Sequence, residues 1–240
     1  MITLVGVGHV FDIERQVRYV IRSAAPGAVA VELDPARYQA LKNPQERGAA
    51  PLPYQLLALT QRRMAKEFNG KVGQEMLVAV EEGQSLGAKV LFIDVEASKM
   101  FRRLWVSMPI KEKVLLFLSG LTGLVASKKQ VEAELERFEE NETEYMELMA
   151  QEFPTMKKVL IDDRNDVMAS RIAVAEGQYG SVLAVVGDGH VDGITKILAR
   201  PDMRVLRLKD LRAMNVPEGC VTEGNNCDVT IHFTVGTGQA

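Results

Sequence analysis

Four short apolar runs rich in β-branched residues punctuate the chain: ITLVGV at 2–7, AVAVEL at 28–33, AKVLFIDV at 88–95 and SVLAVVG at 181–187. Each lacks the strict polar alternation of a strand with one wet face. Such runs predict strands buried on both faces, which means an α/β fold with a mostly parallel central sheet flanked by helices. Between the first two runs, Ile13, Val17, Val20 and Ile21 recur at helical spacing. They predict a helix from Asp12 to Ala24, stopped by APG at 25–27, and so a first βαβ unit. RVLRL at 204–208 predicts a fifth strand, and the alternating CDVTIHFTV at 227–235 predicts an edge strand.

The middle of the chain has helical periodicity instead. Segments 53–68 and 73–88 place apolar residues three and four apart, 128–150 is a long charged helix, and another helix follows Pro154 to about Glu176. No low-complexity linker divides the chain. The pattern therefore predicts a single domain over 1–240, with a helical insertion at about 98–176 between the third and fourth core strands. An irregular tail is expected from about 215 to 240.

Composition narrows the function without naming it. A net charge of −3 over 240 residues gives no basic footprint, so nucleic acid is not an expected partner. Met1 leads straight into ITLVGVGH with no basic region and no cleavage site, from which a cytoplasmic location is expected. The longest apolar stretch, Val114–Ala126, is broken by Ser119, Gly120, Thr122 and Gly123. It is too short to span a bilayer, for which about 20 residues are needed, so no transmembrane segment is expected. A buried helix and turn is expected there, with a homodimer interface as a further use. Cys220 and Cys227 lack C-x-x-C spacing and are read as free thiols.

The chemistry is suggested by a repeat. LVGVGHVFDI at 4–13 and VVGDGHVDGI at 185–194 share six identities, among them Gly6/Gly187, Gly8/Gly189 and His9/His190. In an open parallel sheet, ligands bind at the carboxyl ends of the strands. His9 follows the first strand, Glu32 ends the second, Asp94 lies at the end of the third and His190 follows the fourth. The four glycines are expected to permit unusual backbone angles and close approach at these corners. Two imidazoles with one or two carboxylates suit a divalent ion such as Zn²⁺, Mn²⁺, Co²⁺ or Fe²⁺, with His9, His190 and Glu32 as ligands. Without a metal, the same groups supply a histidine base oriented by Glu32. Arg37 and Arg164 are candidates to hold an anionic substrate group or a reaction oxyanion. His232 has no comparable setting and is read as structural.

Two other classes compete. VGVGHVF followed by VEL approximates a dinucleotide fingerprint, but Phe11 stands where the third glycine belongs. A non-catalytic module that binds metal, haem or peptide through the same histidines is the other.

These features resemble the TraB/PrgY family, whose wider relatives include the Tiki and GumN-like proteins and, more remotely, erythromycin esterases and the haem-binding ChaN proteins. The resemblance spans most of 2–208. It rests on the paired G-x-x-H motifs at Gly6–His9 and Gly187–His190, VAVELDPAR at 29–37, FIDVEASKMFRRLW at 92–105 and DDRNDVMA at 162–169. It implies an α/β fold with helical insertions and a metal-dependent, peptidase-like hydrolase acting on a peptide or a small amide or ester. Tiki relatives are described as Mn²⁺- or Co²⁺-dependent proteases, and PrgY as a membrane protein that limits peptide pheromone activity (pheromone shutdown). Carried over by position, the resemblance implies an active-site set of His9, Glu32, Arg37, Arg164 and His190, with Asp94 a weaker candidate. Family members often have Asp-Arg-Asp-Ile where this chain has Asp94-Val95-Glu96-Ala97, and longer members carry C-terminal transmembrane helices where this chain has a polar tail.

Overall fold

The computed structural model describes residues 1–8, 11–43, 73–123, 142–217, 231 and 233–235. The expected helix at 53–68, both cysteines, His9 and His232 lie outside the described residues. Two compact units are formed, one from Met1–Asp94 with Asp166–Ala240 and one from Val95–Asn165.

The first unit is built on β1 (Ile2–Val7), β2 (Ala28–Val31), β3 (Lys89–Phe92), β4 (Val182–Gly187), β5 (Arg204–Leu206) and β6 (Thr234–Val235). Their order across the sheet is β3-β2-β4-β1-β5-β6. β1 to β5 run parallel, and β6 pairs antiparallel with β5 at one edge. The α/β architecture predicted from the apolar runs is the one observed. β3 is half-buried rather than fully covered, because it forms the opposite edge.

Both faces are covered, which explains the unbroken apolar runs. Val5, Val7, Val29, Val31, Leu183 and Val185 point to one face, against α1 (Glu14–Ala24) and α3 (Gln74–Ser85). Leu4, Ala28, Ala30, Val182, Ala184 and Val186 point to the other, against Met168, Ile172 and Ala175 of α8 (Asp163–Tyr179) and Val191 and Ile194 of α9 (Asp188–Leu198). Each fully buried Val, Leu or Ile contributes roughly 1.5–3 kcal/mol. α2 (Pro35–Lys42) follows β2 and is capped by Asp34, whose carboxylate accepts from the Ala36 and Arg37 amides. α1 starts two residues later than expected, because Asp12 makes no cap and Ile13 occupies the N-cap. Ala25 ends it in a left-handed conformation.

The order fixes a switch point. The chain leaves β1 toward β2 and leaves β4 toward β5, so neighbouring strands send their crossovers in opposite directions. Right-handed crossovers in opposite directions must lie on opposite faces, as α1 and α9 do. The repeat is compatible with this through its register. Gly6 pairs with Val186, and Gly187 pairs with Val7. The two copies are thus offset by one residue, and a one-residue offset turns equivalent side chains to opposite faces. Val5 and its copy Val186 accordingly belong to different cores.

The second unit is helical, formed by α4 (Ala97–Ser107), α5 (Ile110–Gly123), α6 (Glu142–Glu152), α7 (Pro154–Lys157) and a π-helical turn at Lys158–Asp162 that runs into α8. Leu104, Met108 and Val159 form its core with Met100, Phe101, Met156 and Leu160. Pro109 separates α4 from α5, since the residue before a proline is turned away from the helical region. Val114 is 53% exposed, so the apolar stretch that opens there does not begin as a buried helix. Residues 124–126 of that stretch lie outside the described residues. Among the described residues no helix is long and apolar enough to cross a membrane.

Candidate functional site at the sheet switch point

Glu32 is the first residue after β2, and β2 lies directly beside β4. The Glu32 carboxylate is 3% exposed and spans the two strand ends. Its Oε2 accepts the Gly187 amide at 2.6 Å, one of the N–H groups that a helix start leaves without an intrahelical acceptor. Its Oε1 lies 3.4 Å from His190 Nε2. His190, in the first turn of α9, is buried with Val191 and Ile194 on the packed side of that helix. A carboxylate at this helix N-terminus also faces the positive end of its dipole.

The N-terminus of α9 is anchored by Asp188, which pattern reading missed. Its Oδ1 accepts the Leu208 amide at 2.8 Å, and its Oδ2 accepts Arg207 Nη2 at 2.9 Å. Arg207 Nη1 also donates to Asp192 at 2.6 Å. The available signal was an acid in the first turn of the second repeat, where the first repeat has Val7. This network joins the β4 corner to the β5 corner, and Gly6 makes room for it. A Cβ at Gly6 would collide with Asp188 Oδ1 and sit 2.9 Å from Val191 Cγ2. At Gly8 it would meet Phe11 Cδ2 at 2.8 Å and Leu208 Cδ2 at 2.9 Å. Positive φ is not what these glycines supply: it occurs at Gly73, Gly87 and Gly180, and Gly187 has φ −57°. The expected unusual angles are replaced by close approach at Gly6 and Gly8. At Gly189 nothing among the described residues lies within 4 Å of an added Cβ.

On the other side of Glu32, β3 brings in Asp94, buried to 3%, whose amide donates to Leu33 O at 3.2 Å. Arg37 Nη1 donates to Asp94 Oδ2 at 3.0 Å, and Arg171 Nη1 donates to the Asp94 carbonyl at 2.7 Å. One strip of the first unit thus carries Arg37, Asp94, Glu32 and His190. Arg164 belongs to the second unit, where its Nη1 donates to Leu160 O at 3.1 Å. Among the described residues no group of three or more His, Cys, Asp or Glu side chains converges in a metal-holding arrangement. His9, the remaining residue of the expected ligand set, lies outside them.

Fold and site define a doubly wound α/β protein whose polar groups line the carboxyl ends of β2, β3 and β4, beside a switch point of its sheet. The chain belongs to the TraB/PrgY/gumN family, whose model matches residues 1–204. It is also 30% identical over 212 residues to an uncharacterized protein of Methanocaldococcus jannaschii, a match covering 83% of this chain and 53% of that protein. The chain therefore spans about half the length of the curated relative it matches.

Proposed function

We propose that the chain is a peptidase-like hydrolase of a peptide or small amide or ester, with Glu32 and His190 carrying the proton transfers. The observation that supports this reading most is their pairing, both buried, at the carboxyl ends of adjacent strands. In the proposed reaction, water oxygen bonds to the substrate carbonyl carbon while its proton passes to the Glu32–His190 pair. The C–N or C–O bond then breaks, and the proton is returned to the departing nitrogen or oxygen. The products are an acid and an amine or alcohol. The Gly187 amide holds one Glu32 oxygen in place, which leaves the other directed at His190. Arg37 supplies a cation for an anionic part of the substrate.

Two of the expected donors are spaced for a divalent ion. Two ligands about 2.1 Å from one tetrahedral ion are roughly 3.4 Å apart, the same separation as Glu32 Oε1 and His190 Nε2. Glu32 and His190 would hold Mn²⁺, Co²⁺ or Zn²⁺ here, with His9 as the third ligand. A bound ion supplies Lewis acidity toward a carbonyl and lowers the pKa of water. Phe11 speaks against a nucleotide site, because its ring lies over Gly8 where the fingerprint needs a bare glycine.

The test is metal titration together with hydrolysis of a peptide, amide and ester panel, with and without Mn²⁺, Co²⁺ and Zn²⁺, for wild type, H9A, H190A and E32Q. Turnover by wild type that falls at least about 100-fold in E32Q and H190A is the expected result. Absence of turnover across the panel under every metal condition overturns the hydrolase reading. Binding without turnover then leaves the chain as a metal-binding module.

A further inference from the structure

Two arginines reach Asp94 from opposite faces of the sheet. Arg37 stands on α2, whose Tyr38 and Leu41 pack with the core of α1 and α3. Arg171 stands on α8, whose Met168, Ile172 and Ala175 cover the other face. Satisfying Asp94 does not require both, since its carboxylate balances Arg37 and Arg171 rests on a neutral carbonyl. The nearby carboxylates have donors of their own: the Gly187 amide for Glu32, and the Ala36 and Arg37 amides for Asp34. Arg171 pairs with no carboxylate among the described residues. Both arginines are substantially exposed, the Arg37 side chain to 39%, and Nε and Nη2 of each have no partner among the described residues. A planar guanidinium held by one nitrogen, with a second edge open, is pre-set for two-pronged binding of an oxyanion.

We propose that Arg37 and Arg171, steadied by Asp94, form a two-sided clamp for an oxyanion group, a carboxylate or phosphate, carried by the substrate of the Glu32–His190 site. This rests on the hydrolase reading above and adds a substrate class to it. Asp94 lies on the strand beside Glu32, one position past Ile93, which stands opposite Glu32 in the register, so the two Cα atoms are about 6 Å apart. Successive Cα atoms are about 3.8 Å apart, so a peptide whose free carboxylate lies one or two residues beyond the cleaved bond spans that distance. The class indicated is a short peptide, or small amide or ester, with an anionic terminus beside the reacting carbonyl.

The first test is independent of turnover. Inorganic phosphate and N-acetylglycine are titrated separately at low salt into wild type, R37A, R171A, R171K and R102A, with binding followed by NMR and folding checked by circular dichroism. The expected result is saturable wild-type binding of at least one probe, weakened about tenfold or more in R37A and R171A. Binding is expected to be intermediate in R171K and unchanged in R102A, which removes an exposed arginine of the second unit. The probe bound more tightly identifies the oxyanion. Equal affinity in wild type and R171A, or no saturable binding of either probe by wild type, overturns the clamp. The second test compares KM for a peptide with a free C-terminal carboxylate and for its C-terminal amide. R171A raises the former and leaves the latter unchanged; equal changes in both overturn the clamp. Anion binding without hydrolysis by any form overturns the hydrolase reading and leaves the clamp standing.

Discussion

Glu32 and Asp94 are carboxylates buried to the same 3% at the ends of adjacent parallel strands, yet they have opposite partners. Glu32 faces a backbone amide and an imidazole, whereas Asp94 faces a guanidinium. An arginine stays protonated across the working pH range, so the Arg37–Asp94 pair is a fixed charge arrangement. An imidazole nitrogen can accept or donate a proton, so in the proposed reading the Glu32–His190 pair is the one that moves it. Under the proposed function, the contrast gives proton transfer to one strand end and substrate holding to the next. Partner chemistry, rather than depth of burial, is what distinguishes the two carboxylates.

The largest expected effect breaks the proton-transferring half alone. In E32Q the amide oxygen can still accept from Gly187, so the corner keeps its shape while the charge is lost. Hydrolysis is expected to fall about 10²- to 10⁴-fold with a melting temperature within a few degrees of wild type. A rate unchanged within about threefold would remove Glu32 from the chemistry.

The next disturbs the same pair without altering either member. In G6A the added methyl collides with Asp188 Oδ1 and crowds Val191 Cγ2, both on α9. Overpacking of this kind costs about 1–3 kcal/mol, and the turn that carries His190 must shift to relieve it. Urea unfolding should show the lost stability, and activity should fall more than stability alone explains. Wild-type stability in G6A would mean that α9 is not seated as described.

Asp94→Asn addresses the holding half. A half-exposed Arg37 rehydrates when its partner loses charge, so the expected cost is about 1–2 kcal/mol rather than that of a fully buried unpaired ion. The rise in KM for an anionic substrate should exceed the fall in kcat. A fall in kcat with unchanged KM would mean that Asp94 acts on the chemistry, and the contrast with Glu32 would be lost.

Much of this was legible in the sequence, for physical reasons. Strands covered on both faces write themselves as unbroken apolar runs, so β1, β2 and β4 were readable, as was the less covered β3, and with them the strip holding Glu32, Asp94 and His190. Partner geometry was not. Asp188 and Arg207 are 19 residues apart, and their meeting depends on β5 lying beyond β1 from β4, an order that no local pattern carries. Arg171 looks like any charged residue on a helix until the sheet brings Asp94 beneath it. The opposite faces of the two repeat copies follow from a one-residue register offset that identical motifs cannot reveal. Asp12 was misjudged because an acidic residue before a helix usually caps it, and here Ile13 holds that place.

The smallest expected effect separates the glycines of the repeat from one another. Gly189 is the second residue of α9, its φ is not positive, and an added Cβ meets nothing within 4 Å among the described residues. Alanine is favoured over glycine by up to about 1 kcal/mol inside a helix and by less in its first turn, so G189A should be neutral or raise stability by a few tenths of a kcal/mol. Activity then decides what Gly189 is for. Unchanged activity makes it a passive member of the motif, with close approach at the β1 corner belonging to Gly6 and Gly8. Lost activity at full stability means that the space over Gly189 is used by substrate, because an alanine there, with φ in the ordinary helical range, is otherwise unstrained.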